Sequence, residues 1–336
     1  MAEANSPVVV SAENVHRHLP YPALIAALAD MFSDGVIVPR RHHHTIERQP
    51  GSASTLLLMP AWLSPDDMAT GHGFAGVKIV TVSPDNNLTG KPAVNGIYLL
   101  MHGVSTEPLA LIDGQALTLR RTAAASALAA RFLARREASH LCLLGAGKLA
   151  PCLARAHASV RPIRKITIWN RTADHAERLA DTLRRDGFAV SVASTPEAAI
   201  RHGDIVSAAT LSSVPLIRAA WIRPGTHLDL VGAFTPQMRE SDDATVVAAR
   251  LFVDTYDGAL SEGGDLVQPM QAGLIQRSDI LADLAELCRG THSGRISDSE
   301  ITLFKSTGTA IEDLAAARLV YQSLQDERAS GTNSEA

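Results

Sequence analysis

The stretch of this sequence whose residue types and spacing most clearly carry chemistry lies between residues 141 and 150, LCLLGAGKLA. Leu141, Cys142, Leu143 and Leu144 run without a break into Gly145-Ala146-Gly147-Lys148-Leu149-Ala150. That pattern reads as a buried parallel strand, a tight turn and the opening of a helix. Gly145 permits the turn, Gly147 lets a pyrophosphate approach the backbone, and Ala150 allows close helix–strand packing, while the N–H groups of the first helical turn face the phosphates. Alone, G-x-G-x-x-A is a weak pattern that a purely structural glycine turn also matches. Its context strengthens it. A helix-length segment, 149–160, leads to a second apolar run, Ile166-Thr167-Ile168-Trp169, which ends at Asn170-Arg171-Thr172. No acid stands at this tip to hold a ribose diol, whereas Arg171 offers a planar fork to a 2′-phosphate and Asn170 and Thr172 add neutral hydrogen-bonding groups. The expected cofactor is NADPH, with NADH as the alternative should Asp174 take over the ribose contact.

Stepping outward, 336 residues suffice for two domains with separate cores. Hydrophobic residues at 46%, charged residues at 20% and a net charge of -4 describe an ordinary globular chain. Nothing supplies the concentrated basic face that nucleic acid would need. Cys142, Cys152 and Cys288 are odd in number and read as reduced thiols of a cytoplasmic protein, not as a disulfide framework. The opening MAEANSPVVV lacks the basic and apolar regions of a signal peptide. No run approaches the roughly eighteen apolar residues of a membrane span.

The positioning elements fall into two textures. Val8 to Val10 read as a strand, Ser11 caps a helix through Leu19, and Leu24, Ile25, Leu28, Met31 and Phe32 have the spacing of an amphipathic helix. Strands are then expected over 40–46, 54–59, 76–82, 95–102 and 109–112, the last followed by a turn at Asp113-Gly114. From Thr118 the texture changes: an alanine-rich helix over 123–135 feeds the glycine turn. Strands follow at 189–192, 204–210, 227–232 and 251–254, the last as the sixth, with a helix at 195–202. The fold class this implies is α/β: a doubly wound parallel sheet (Rossmann) domain, 120–309, plus a mixed α+β N-terminal domain. The latter comprises 1–119 and is completed by the C-terminal helix, 310–326; residues 327–336 read as a disordered tail.

His42, His43 and His44 invite a metal reading. Neighbouring strand residues point to opposite faces, so only His42 and His44 could share an ion, and no acid or cysteine pattern completes a site. No metal is expected.

Taken together the motifs resemble the ornithine cyclodeaminase and mu-crystallin family. The likeness runs through Leu58-Met59-Pro60-Ala61, Asp113-Gly114, Arg120-Arg121-Thr122-Ala123-Ala124, the glycine turn and Trp169-Asn170-Arg171-Thr172. It continues through Val231-Gly232-Ala233 with Pro236 and Arg239-Glu240, and through Phe304-Lys305-Ser306 with Gly308 and Glu312-Asp313. The cyclodeaminases use a glutamate just before the Met-Pro pair and an aspartate just after the Val-Gly-small run. Here Leu57 and Phe234 stand at those positions, so the chain resembles instead the ketimine reductase branch, which reduces delta-1-pyrroline-2-carboxylate or delta-1-piperideine-2-carboxylate to L-proline or L-pipecolate.

The resemblance implies a homodimer, a cyclic imino acid as substrate, and carboxylate binding by Arg40, Lys78 and Arg121. Lys78 interrupts a strand that otherwise looks buried, so its pKa should be lowered, and it is a candidate proton donor to the imine nitrogen. Phe234 would wall the ring methylenes and exclude water. The cofactor would be held by Gly145 to Ala150, Asn170 to Thr172, Thr210 and Leu211, and Val231 and Gly232. Arg121, Thr122 and Ser306 would close the far side, and Asn95 would point into the same cleft. Glu312 and Asp313 read equally as dipole-favoured helix acids or as site residues. The rival readings are an open-chain imine reductase resembling alanine dehydrogenase, a mu-crystallin-like NADPH or ligand-binding protein, and a cyclodeaminase.

Overall fold

The computed structural model describes residues 6–64 and 73–332. They form two compact units, divided between Arg121 and Thr122 and again between Gly308 and Thr309.

The first unit is built on β1 (Val8–Val10), β2 (Val36–Ile37), β3 (His42–Ile46), β4 (Ser54–Leu63), β5 (Phe74–Val82), β6 (Val94–His102) and β7 (Pro108–Asp113). The sheet order is β1-β7-β6-β5-β4-β2, with β3 paired to β4. Strands β4 to β7 are antiparallel neighbours, and β1 joins β7 in parallel. Residues alternate across such a strand, so Phe74, Gly76 and Lys78 of β5 are buried while Ala75, Val77 and Ile79 are only half-buried. The buried face is covered by the final helix, against which α2 (Tyr21–Ser33) packs. Leu24, Ile25, Leu28, Met31 and Phe32 fill this layer as their spacing predicts, each burial being worth about 1.5–3 kcal/mol. Across the opposite face run registered apolar rows, Leu58-Ile79-Ile97 and Pro60-Val77-Leu99-Leu111. In the single chain none of these residues is buried.

Two boundaries differ most from the sequence reading. The alanine-rich helix starts at Gly114, not at 123, and runs to Leu133. Asp113 is its cap, not part of a free turn: its Oδ1 accepts the Ala116 N–H at 2.7 Å. Gly114 is required because a Cβ there would lie 2.7 Å from the Gly96 carbonyl carbon. The final helix, Ala310–Thr332, continues through 327–332, where a disordered tail was expected. Its end is held within the unit: Arg17 lies 3.1 Å from Glu327 and His18 2.9 Å from Ser323. Residues 333–336 lie outside the described part.

The second unit carries β8 (His140–Leu144), β9 (Lys165–Trp169), β10 (Ala189–Val192), β11 (Ile205–Ala208), β12 (His227–Leu230), β13 (Arg250–Val253), β14 (Ile280–Asp283) and β15 (Thr302–Lys305). Every pair is parallel, in the order β10-β9-β8-β11-β12-β15-β13-β14. This is the doubly wound, Rossmann-type arrangement. The expected sixth strand is β13, and β15 inserts between it and β12. Parallel pairing is non-local, and a four-residue strand carries no mark of its neighbour. Strands β11, β12 and β15 are buried along their whole length, as parallel strands covered on both faces must be. The chain order reverses between β8 and β11, the point at which a crevice opens at the carboxyl ends of such a sheet. No helix among the described residues is long and apolar enough to cross a membrane.

Candidate active site

Within the second unit, the glycine turn follows β8 directly. Gly145 has φ +104°, and a Cβ there would stand 2.9 Å from the Ala209 carbonyl at the end of β11. Only glycine meets both conditions. Gly147 has nothing within 4 Å of where a Cβ would be, and it is exposed together with Lys148. The turn is tied to the tip of β9: the Ala146 N–H donates to Asn170 Oδ1 at 3.1 Å, and Asn170 Nδ2 donates to the Thr172 carbonyl at 2.8 Å.

Two helices begin here, over Ala150–Val160 and Ala173–Arg185, and neither has a side-chain cap from its N-cap residue, Leu149 or Thr172. Uncapped N-termini beside an open glycine turn favour phosphate oxygens. Arg171 is exposed at the tip of β9, and it makes no ion pair among the described residues. These features fit a dinucleotide. Farther along the sheet ends, the Val231 and Gly232 N–H groups both donate to the Ala208 carbonyl, at 2.8 and 3.2 Å. Ala233 takes a left-handed φ of 51°, which leaves Phe234 46% exposed. Leu211 is exposed, whereas Thr122 and Ser306 are buried.

Within the first unit, a second cluster forms around Lys78, which is 3% exposed. Its Nζ lies 2.8 and 3.0 Å from the two carboxylate oxygens of Asp313 and 3.5 Å from Thr118 Oγ1. Arg121 reaches the same acid, Nε to Oδ1 at 3.0 Å, and its Nη1 meets Glu312 at 2.5 Å. Both acids are fully buried. Burial pulls the Lys78 pKa down to about 8, the neighbouring Arg121 charge adds to that, and Asp313 opposes it. Burial by itself would raise Asp313, but Arg121 and Lys78 outweigh it and hold the carboxyl below its usual range. The result is a buried ammonium that keeps its proton at neutral pH yet gives it up more readily than a surface lysine.

Tyr98, opposite Lys78 in register, is fully buried, and its hydroxyl makes no hydrogen bond among the described residues. Its ring lies over Gly76, where a Cβ would collide with the hydroxyl. Gly76→Ala should therefore lower stability by about 1–3 kcal/mol through overpacking. Equilibrium urea unfolding measures this, and Tyr98→Leu in the same chain should recover part of the loss. Full stability in the single variant would mean that the ring moves aside freely.

The structure thus brings Lys78 and Arg121 together through Asp313, but not Arg40 or Asn95. Arg40 is exposed in the link between β2 and β3, on the edge side of β4. Asn95 is exposed, donates to the Pro92 carbonyl at 3.1 Å and pairs in register with Thr81. Three residues separate it from Tyr98, so the pleat points it to the sheet face away from Lys78. Glu312 and Asp313 belong to the cluster. The signal for them was two adjacent acids opening an otherwise apolar helix, but a first-turn acid satisfies the helix dipole equally well. His42 and His44 stack at 6.2 Å on the exposed strand β3, and no group of three metal-ligating side chains occurs among the described residues.

The ornithine cyclodeaminase/mu-crystallin family model matches residues 7–328. A delta(1)-pyrroline-2-carboxylate reductase of Colwellia psychrerythraea is 35% identical over 324 residues, covering 95% of this chain and 99% of the relative. The Thermococcus litoralis delta(1)-pyrroline-2-carboxylate reductase, solved with NADH and L-proline, superposes with a TM-score of 0.88 at 32% identity, covering 95% of this chain and 98% of that one. An archaeal alanine dehydrogenase dimer with bound NAD gives 0.86 at 28% identity, covering 96% and 97%.

Proposed function

Because this chain belongs to the ornithine cyclodeaminase/mu-crystallin family, we propose that it is an NAD(P)H-dependent oxidoreductase of C=N bonds that reduces a cyclic ketimine. The substrate is delta-1-pyrroline-2-carboxylate or delta-1-piperideine-2-carboxylate, and the product L-proline or L-pipecolate. The observation that carries this reading is the buried Lys78–Asp313–Arg121 arrangement. A ring carboxylate needs positive groups held in one geometry, and an imine nitrogen needs a proton before its carbon accepts hydride. Asp313 fixes both cations, and Lys78 supplies a proton held close to neutral pH. The dinucleotide supplies the hydride, held by the glycine turn and the strand ends of the second unit. Leu57 and Phe234 replace the two acids of the cyclodeaminases, so hydrolytic deamination lacks its acid–base groups. The T. litoralis reductase bound to NADH and L-proline supports the same chemistry.

The direct test follows NADPH oxidation at about 340 nm with delta-1-pyrroline-2-carboxylate. Rapid oxidation supports the reading; tight NADPH binding without turnover on either cyclic imine would sink it. Similarity to the alanine dehydrogenase favours one alternative, reductive amination of a 2-oxo acid, which ammonia-dependent oxidation with pyruvate would reveal.

NADPH is the preferred cofactor in this reading, because Arg171 stands exposed at the tip of β9 and pairs with no acid among the described residues. Arg171→Ala should weaken NADPH by about tenfold, the worth of one charge-assisted contact of roughly 1.5 kcal/mol, and leave NADH nearly unchanged. Equal loss for both cofactors would assign the arginine a different role.

The partner is a second copy of the chain, seated on the open apolar sheet face that includes Leu58, Ile79, Ile97 and Leu99. A face of this kind is a typical interface core. The archaeal alanine dehydrogenase is a dimer, which supports a second copy as the partner. Ile97→Asp should convert a dimer to a monomer in light scattering behind size exclusion; a dimer unaffected by that charge would place the interface elsewhere.

A further inference from the structure

A second set of buried charges lies in the second unit, apart from the Lys78–Asp313–Arg121 cluster. Glu240, Asp265 and Lys305 are each fully buried. Lys305 ends strand β15; its Nζ donates to the Gly232 carbonyl and lies 3.3 Å from Asp265. Asp265 Oδ1 accepts the Glu240 and Ser241 N–H groups at 2.8 and 2.9 Å and the Ser241 hydroxyl at 2.9 Å. Glu240 Oε1 in turn accepts the Thr210 N–H at 2.7 Å and its hydroxyl at 2.8 Å. The packing at this point is tight: a Cβ on Gly232 would collide with Glu240 Oε1 and with the Thr210 carbonyl.

Two strand-end backbones, after β11 and after β12, are therefore each held by a charged side chain from within the unit. Apolar side chains would fill the same space without the several kcal/mol that desolvating ions costs. What the charges add is direction, because a carboxylate and an ammonium set which way one N–H and one carbonyl point. Burial pushes Glu240 up to about 7, with Lys305 opposing and Asp265 reinforcing the shift.

We propose that Glu240 and Lys305 are positioning residues for the dinucleotide, orienting the peptide groups of Thr210 and Gly232, two of the residues expected to hold it. This rests on the reductase reading for the identity of the ligand. The test is the NADPH dissociation constant, read from cofactor fluorescence without substrate, beside near-ultraviolet circular dichroism at the same temperature. Glu240→Ala should weaken binding by about tenfold, whereas Glu240→Gln, which keeps the acceptor oxygen, should stay within about threefold of wild type. If Glu240→Ala does not fold, the double variant Lys305→Met with Asp265→Asn, which removes both members of the Lys305–Asp265 ion pair, should show the same roughly tenfold loss. Wild-type affinity in either folded variant, or equal loss in Glu240→Ala and Glu240→Gln, would overturn the positioning role. Wild-type protein that binds NADPH but reduces no imine would overturn the reductase reading alone; protein that binds no dinucleotide would overturn both.

Discussion

Lys78→Met is expected to lower kcat/KM for imine reduction by about 10²–10⁴-fold, the range lost when a general acid is removed, with the NADPH dissociation constant unchanged. The methionine fills the stem's volume, and Asp313 keeps Arg121 at 3.0 Å, so the fold should survive. The pH dependence follows from the same group. Lys78 keeps its proton below about pH 8 and loses it above, so the wild-type rate should fall as pH rises through about 8, and the variant should lack that limb. Stability moves the other way. The folded pKa lies below the unfolded value of 10.5, so folding disfavours the charged form. That penalty is fully present below about pH 8 and disappears as pH rises from about 8 toward 10.5. A variant within tenfold of wild type would mean that the imine arrives protonated or takes its proton from water.

Arg121→Met should be the most destabilising change in the first unit. It removes the guanidinium from two fully buried acids, Glu312 and Asp313. Breaking such a network costs about 3–5 kcal/mol, and the lower end applies because Lys78 remains beside Asp313. Urea unfolding at neutral pH measures the loss. The sign of its pH dependence is also determined: Asp313 titrates below its usual range in the intact chain, so its contribution is present at neutral pH and fades as pH falls through the folded pKa. The gap between variant and wild type should narrow in acid. A gap that stays constant with pH would place the loss in packing instead of charge.

The comparison of sequence with structure turns on which signals are local. The glycine turn, the Asn170-Arg171-Thr172 tip and the doubly wound class were legible because each depends on residues close together in the chain: an apolar run, glycines at fixed spacing, a polar strand end. Lys78 was legible as a charge within a buried strand. By contrast, the place of β15 between β12 and β13, the union of Lys78 and Arg121 on Asp313, and the brace of Glu240, Asp265 and Lys305 join residues far apart in sequence. Asn95 shows the limit on a single strand. Its type suited a polar cleft, but pairing register and pleat turned it to the other face. By itself, then, the sequence determined the fold class, the glycine turn and the family. Tertiary structure alone decided which cation meets which carboxylate, because burial and a partner a few ångströms away set charge and direction, and neither is written in neighbouring residues.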